Sequence, residues 1–125
     1  MTPRQPARLV ACKSGATAVE FALVLPALAA LTVGALYASL LLYSAAGLHS
    51  TVEDAARCYS VNANQCRTAS AAQTYAQGKY FGINTPSFTA SNAACGHLVS
   101  ATVTIAFSAV LTNVSVPLTA TSCFP

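Results

Sequence analysis

The segment SGATAVEF at residues 14–21 leads into a stretch of 28 residues, 21–48, that contains no charged side chain. As an α-helix this stretch would extend about 40 Å, which exceeds the ~30 Å hydrocarbon core of a bilayer. Leu, Ala and Val dominate the stretch. The pattern therefore predicts a transmembrane helix and disfavours the alternative, a buried core helix.

A few residues inside this stretch depart from a plain apolar helix. Thr32, Ser39 and Ser44 carry hydroxyl groups, which can donate to carbonyl groups of their own helix. Pro26 lies one turn in, where it removes a backbone hydrogen bond and favours a kink. In a membrane the carbonyl group that it frees needs a partner from a neighbouring group. All four residues are compatible with a membrane span.

The charges are divided by this segment. Residues 1–15 hold the cations Arg4, Arg8 and Lys13 and no acid, whereas the cations and acids of residues 16–125 cancel. The formal net charge of +3 therefore lies entirely before residue 16. By the positive-inside rule, the N-terminus is expected in the cytoplasm and the remainder across the membrane. A neutral remainder without a basic patch gives no indication of nucleic-acid binding.

A basic start followed by an apolar run is also typical of a secretory signal peptide. The run here is about twice the usual length of such a core. Residues 45–47, AAG, form the one plausible signal-peptidase site after it. A cleaved signal peptide is therefore the weaker interpretation.

A short basic leader that ends in Gly15, then four small or apolar residues, Glu20, Phe21 and a long apolar helix resembles the class III signal of type IV prepilins. Residues 15–26, GATAVEFALVLP, are especially similar to the TadE-like minor pilins, or pseudopilins, of bacterial tight-adherence (Tad or Flp) pili. The resemblance implies that a membrane-embedded prepilin peptidase cuts between Gly15 and Ala16 on the cytoplasmic side.

The spacing of Ala16 and Glu20 has a physical rationale of its own. Cleavage would free an amine on Ala16, one helical turn before Glu20, so that an ammonium and a carboxylate share one helix face. An unpaired carboxylate near the bilayer core costs about 3 kcal/mol or more. Glu20 is therefore expected to pair with its own amine or with that of a neighbouring subunit, which would favour correct axial register. The alternative is a solvated Glu20 at headgroup depth, favoured by the helix macrodipole.

The five cysteines support a division of the chain at residue 15. Cys12 lies before the predicted cut, and an even set of four lies beyond the membrane span: Cys58, Cys66, Cys95 and Cys123. An even set in an exported domain predicts two disulfides. Of three connectivities we favour Cys58–Cys66, which closes a short polar loop, with Cys95–Cys123, which ties the C-terminus to the start of a strand.

Two helices are expected in the exported domain. Val52, Ala55, Ala56 and Tyr59 recur at helical spacing, so the long helix should continue into the domain. On its opposite face Glu53 and Arg57 are predicted to form an i,i+4 pair. Residues 50–53, STVE, match a capping box and could instead begin a new helix. Residues 68–80 predict a second amphipathic helix with Ala69, Ala72, Ala76 and Tyr80 on one stripe, ended by the turn residues at 82–86.

The C-terminal part alternates with a period of two. Apolar residues occupy odd positions over 99–107 and even positions over 114–120, with mainly Ser and Thr between them. This predicts two half-buried strands joined as an antiparallel hairpin around residues 109–113. Pro117 favours an edge strand or a bulge. Residues 87–91 are a candidate third strand.

The strand parity conflicts with one of the disulfides. Apolar pairs across the hairpin have index sums that are odd, whereas the indices of Cys95 and Cys123 sum to an even number. A direct cross-strand disulfide would therefore require a bulge, or Cys95 would have to lie beyond the regular ladder.

The sequence does not indicate an enzyme. Glu53 and Asp54 are adjacent, so they point to different faces of a helix, which is poor geometry for paired acid–base work. His49 and His97 are isolated and are expected at the surface or an interface. We expect no catalytic residue, no metal site and no cofactor.

The predicted architecture is an α+β, pilin-like chain stapled by disulfides. It divides into a cleaved leader at residues 1–15, a transmembrane and assembly helix at 16–48, and an exported domain at 49–125. The domain should hold a second helix and a short antiparallel sheet.

The resemblance implies a structural minor pilin in the bacterial inner membrane, with its C-terminal domain in the periplasm or carried into an extracellular pilus for surface adherence. Its implied partners are the prepilin peptidase, other pilin subunits, the inner-membrane assembly platform and lipid. A pseudopilin of a secretion system and a single-pass anchored binding module are the alternatives.

Overall fold

The computed structural model describes residues 14–108 and 112–125. The basic leader up to Lys13, with Cys12, and the centre of the predicted hairpin connection at residues 109–111 lie outside the described residues. The element order is α1 (Ser14–Val61), α2 (Ala69–Lys79), β1 (Ser87–Ala93), β2 (Gly96–Ser108) and β3 (Asn113–Phe124). The predicted fold class, a long apolar helix followed by a second helix and an antiparallel sheet, is confirmed.

The chain separates into two compact units, with the division between Ala38 and Ser39. The second unit, Ser39–Pro125, contains the C-terminal part of α1 and all the remaining elements. It includes Ser44 and Leu48, which are buried against the domain, while the division between membrane helix and exported domain after Leu48 stays a prediction. The last turns of the uncharged run are therefore also part of the folded domain.

Within this second unit, one face of α1 is buried. Its buried side chains recur at helical spacing: Ser44, Leu48, Thr51, Val52, Ala55 and Ala56. The helix continues through residues 50–53, since the hydroxyl groups of Ser50 and Thr51 donate to the Gly47 carbonyl at 3.1 and 2.7 Å instead of capping a new helix. The predicted continuation is confirmed, and the alternative of a new helix is wrong.

The predicted ion pair between Glu53 and Arg57 is not the contact that Arg57 makes. Its guanidinium lies 6.0 Å from the centroid of the Phe124 ring. The end of β3 and the residue after it reach α1, since the Ser60 hydroxyl also donates to the Pro125 carbonyl at 2.5 Å. The ring face of Phe124 attracts the Arg57 guanidinium, as a carboxylate would.

α2 is shorter than predicted. Thr68 caps its N-terminus, because the Thr68 hydroxyl accepts from the Ala71 N–H at 3.2 Å. The helix ends at Lys79, and the N–H of Tyr80 makes the last bond, to the Ala76 carbonyl at 3.1 Å. Ala72 and Ala76 are buried on the predicted stripe.

The three strands form one antiparallel sheet in the order β1-β2-β3. The candidate third strand is therefore confirmed. β2 is central and buries Val99, Ala101, Val103 and Ile105 on one face, as the alternation predicted. Pro117 lies on the edge strand β3, opposite Thr104 in an uninterrupted register, so the edge interpretation holds without a bulge.

The core of the domain is small and is built between α1, α2 and the sheet. It comprises Leu48, Val52, Ala55, Ala56, Ala76, Phe88, Val99, Ala101, Val103 and Ala120. Five of these ten residues are alanines, so little apolar volume is buried per residue. In a domain with so small a core, disulfide bonds contribute a large share of the stability.

Two disulfides cross-link the domain in the favoured connectivity. Cys58 is bonded to Cys66 with Cα atoms 5.6 Å apart, and Cys95 to Cys123 with Cα atoms 6.2 Å apart. β2 and β3 pair Leu98 with Cys123, which keeps the odd sum, while Cys95 lies in the turn between β1 and β2. The parity conflict is thus resolved because Cys95 lies beyond the regular ladder.

The same turn explains Gly96. Its φ is +120°, the one positive φ among the described residues, and a Cβ there would meet the carbonyl oxygen of Phe124. A glycine at the start of β2 therefore lets the C-terminus approach closely enough for the Cys95–Cys123 bond.

Tyr80 locks the loop after α2 to α1. One edge of its ring faces Gly47, at 3.8 Å from the position a Cβ would take there, and Gly82 lies against its hydroxyl end. Phe88 meets the ring edge-on with centroids 6.5 Å apart. Burial raises the pKa of the Tyr80 hydroxyl; the nearby Ser44 hydroxyl partly offsets this, although the two groups do not meet hydrogen-bonding geometry.

We expect Gly82→Ala to lower the stability of the domain by about 1–3 kcal/mol, as overpacked sites do. The added methyl group overlaps the Tyr80 ring, which Gly47 holds from the other side. Gly78→Ala is the matched control, because nothing lies within 4 Å of its Cβ position in α2. It should raise stability by up to about 1 kcal/mol. Thermal unfolding of the full chain in detergent measures both, and equal midpoints for the two variants would contradict the packing described.

Candidate functional site

In the first unit, no described element covers the apolar surface of the helix. Its large side chains are between half and three-quarters exposed: Val19, Phe21, Leu23, Val24, Leu25, Leu28, Leu31, Val33 and Leu36. An 18-residue window of this helix has a mean hydropathy of 2.1, and none of it is buried. A core helix of a soluble domain would be covered by its own protein. Length and apolar character therefore fit a membrane anchor.

The predicted cleavage bond between Gly15 and Ala16 lies in the first turn of α1, which begins at Ser14. Gly15 is exposed, and no atom lies within 4 Å of its Cβ position.

Glu20 and Phe21 follow on the exposed surface of the same helix. Glu20 is the only acid in the first 52 residues. One helical turn separates it from Ala16, as predicted, so the two backbone positions share a face. The amine that would pair with its carboxylate exists only after cleavage, and the pairing stays a prediction.

Three residues inside the apolar helix, one proline and two with hydroxyl groups, differ in their surroundings. α1 is helical through Pro26. The Thr32 hydroxyl donates to the Ala29 carbonyl at 2.9 Å, as predicted. Ser44 instead turns into the domain, where its hydroxyl is buried beside Tyr80. Sequence periodicity could not show this, because Ser44 belongs by composition to the membrane run and by packing to the domain.

The two histidines differ in their surroundings. His49 is exposed. His97 is half-buried, and its ring lies against that of Tyr59, with centroids 4.2 Å apart. In the part of the chain that the structure describes, no group of three His, Cys, Asp or Glu side chains is placed to hold a metal ion.

The family comparison finds a match along the long helix α1. Residues 15–57 match the family model for TadE-like protein. The match begins at Gly15, where the leader was predicted to end, and covers α1 almost to its last turn. It confirms the resemblance, so the chain carries the TadE-like signature, consistent with a TadE-like pilin of the Tad system. No curated protein and no solved structure matches the chain.

One surface feature was not predicted from the sequence. Phe81 and Ile83, on either side of Gly82, are exposed apolar side chains in the loop after α2. The turn residues at 82–86 predicted only the end of a helix. The sequence did offer a sign of this exposed surface, because these two apolar residues belong to no periodic pattern.

Proposed function

We propose that the protein is a structural minor pilin of a Tad-type pilus. The single observation that carries this proposal is the TadE-like match over the exposed apolar helix from Gly15 onward. In this role the chain is held in the inner membrane with its N-terminus in the cytoplasm. It is cut between Gly15 and Ala16, and it then enters the base, shaft or tip of the filament.

The physical basis of assembly is the exposed surface of α1. In the membrane, lipid covers these apolar side chains. In a filament, helices of neighbouring subunits take the place of lipid. The apolar side chains therefore stay covered when the subunit moves from the membrane into the filament. Because lipid tails are as apolar as leucine, packing and polar contacts must decide the register.

Glu20 supplies such a contact. Its carboxylate would pair with the amine freed on Ala16 of the same or the neighbouring subunit. When the amine belongs to the neighbouring subunit, a slip by one helical turn would bury one of these charges alone, and that arrangement costs several kcal/mol, on the order of 3–5. A pair between subunits therefore selects one axial position. The role is structural and requires no catalytic group in this chain.

The proposal is tested by locating an epitope-tagged full-length chain in piliated cells of its own bacterium. We expect the processed form in the sheared surface fraction as well as in the membrane fraction. If piliated cells retain all of the chain in the membrane with its leader uncleaved, a single-pass anchored module is the better description. Neighbouring genes that encode a secretion system rather than a Tad ATPase and peptidase would favour a pseudopilin.

A further inference from the structure

The loop after α2 carries apolar side chains that the core does not use. Phe81 is 77% exposed and Ile83 is 54% exposed. Tyr43 of α1, which is 59% exposed, lines the same cavity of about 280 Å³ as Phe81 and Gly82. All three side chains belong to the second compact unit. We refer to Tyr43, Phe81 and Ile83 as the apolar loop patch.

Tyr80 fixes the level of this patch along α1. The ring passes Gly47, and its hydroxyl end lies near Ser44 and Tyr43. Gly82 packs against that same hydroxyl end, so the loop tip is level with residues 43–47. These residues are the last turns of the uncharged run, which ends before His49. The patch therefore lies where a membrane-spanning helix would leave the hydrocarbon core.

The loop is held in this position from the sheet side as well. The Asn84 side-chain amide donates to the Thr104 carbonyl at 2.6 Å, and Pro86 is buried. The loop is therefore held in place, and in this position Phe81 and Ile83 stay outside the core.

We propose that the apolar loop patch is a second membrane contact, which inserts into the headgroup region of the bilayer on the exported side. Aromatic side chains are enriched at this depth, where an apolar body and a polar surrounding coexist. The contact would set the tilt and rotation of the domain on the membrane. The inference rests on α1 being a membrane anchor and goes beyond the pilus role, since it concerns the subunit before assembly.

The charges near the patch favour lipid as its occupant. Lys79, the last residue of α2, is exposed and lines the cavity next to Phe81, with its ammonium 5.6 Å from the Tyr75 ring centroid. A lysine beside the patch can extend its flexible side chain toward anionic lipid phosphates. The acid that lines the same cavity, Asp54, lies seven residues beyond Gly47, about 10 Å further along the helix axis and away from the membrane.

The chain contains no tryptophan, so a single introduced tryptophan reports its own surroundings. Full-length Phe81→Trp is reconstituted in vesicles of phosphatidylethanolamine and phosphatidylglycerol. A second preparation contains phospholipid brominated on the acyl chain close to the glycerol. Val61→Trp is the matched control, because Val61 is 71% exposed and lies at the other end of this stretch of α1, about 21 Å beyond Gly47 along the helix axis.

We expect the emission of Phe81→Trp to be shifted to the blue relative to Val61→Trp and to be quenched several-fold more strongly by the brominated lipid. Both substitutions are at exposed positions, so folding should be retained. Quenching no stronger than that of Val61→Trp would overturn the proposal. If such unquenched emission were nevertheless shifted to the blue, the surface would belong to a contact with a second copy of the chain.

Discussion

Glu20→Leu is expected to insert into the membrane at normal levels and to fail to enter filaments. The apolar run remains intact, so anchoring does not depend on the carboxylate. In the filament the substitution would leave the amine on Ala16 without its counter-charge. Removing one partner of a buried pair costs about 3–5 kcal/mol, which corresponds to a loss of at least about a hundredfold in the equilibrium for incorporation.

Two further variants separate charge from shape. Glu20→Gln keeps the size of the side chain and should fail like Glu20→Leu. Glu53→Leu removes an exposed carboxylate from the same helix, beyond the apolar run, and should incorporate normally. The measurement is the ratio of subunit in the sheared surface fraction to subunit in the membrane. Normal piliation by Glu20→Leu would show that the carboxylate has no role in assembly.

The double variant Cys95→Ala/Cys123→Ala is expected to lose about 3.5 kcal/mol of stability. The disulfide closes a loop with a sequence separation of 28, and the chain-entropy model gives this cost for a loop of that length. A domain of this size has in total about 5–15 kcal/mol. The midpoint of thermal unfolding should therefore fall by roughly 15–25 °C.

The control for this variant is Cys12→Ala. Cys12 lies upstream of the predicted cut, so its removal should leave the midpoint unchanged. Unfolding of the full chain in detergent, followed by the circular dichroism of the sheet, measures both variants. If the wild-type midpoint did not change on reduction, the disulfides would not be the staples of this thin core.

Much of the fold could be predicted because it depends on local pattern. The period of two predicted the strands, and their parity required either a bulge or a Cys95 beyond the regular ladder. The contact of Tyr80 with Gly47 and Gly82 could not be predicted, because it joins residues about 35 apart in the chain through shape alone. For the same reason Ser44 and Leu48 looked like membrane residues, although they pack into the domain.

The candidate site was predictable in a different sense. Gly15, Glu20 and Phe21 stand out by spacing and by charge, and that spacing survives in any helix. Their function depends on groups that appear only after cleavage or assembly. The structure of one chain therefore shows these residues exposed on a helix, and their partners have to be identified by experiment.

The mature N-terminus tests the central claim most directly. Mass spectrometry of the full-length protein recovered from membranes and from sheared pili should find a chain that begins at Ala16. Such a chain would lack both the basic leader and Cys12, so it would be neutral and would keep four cysteines in two disulfides. An intact Met1, or a chain that begins just after residues 45–47, would contradict the account.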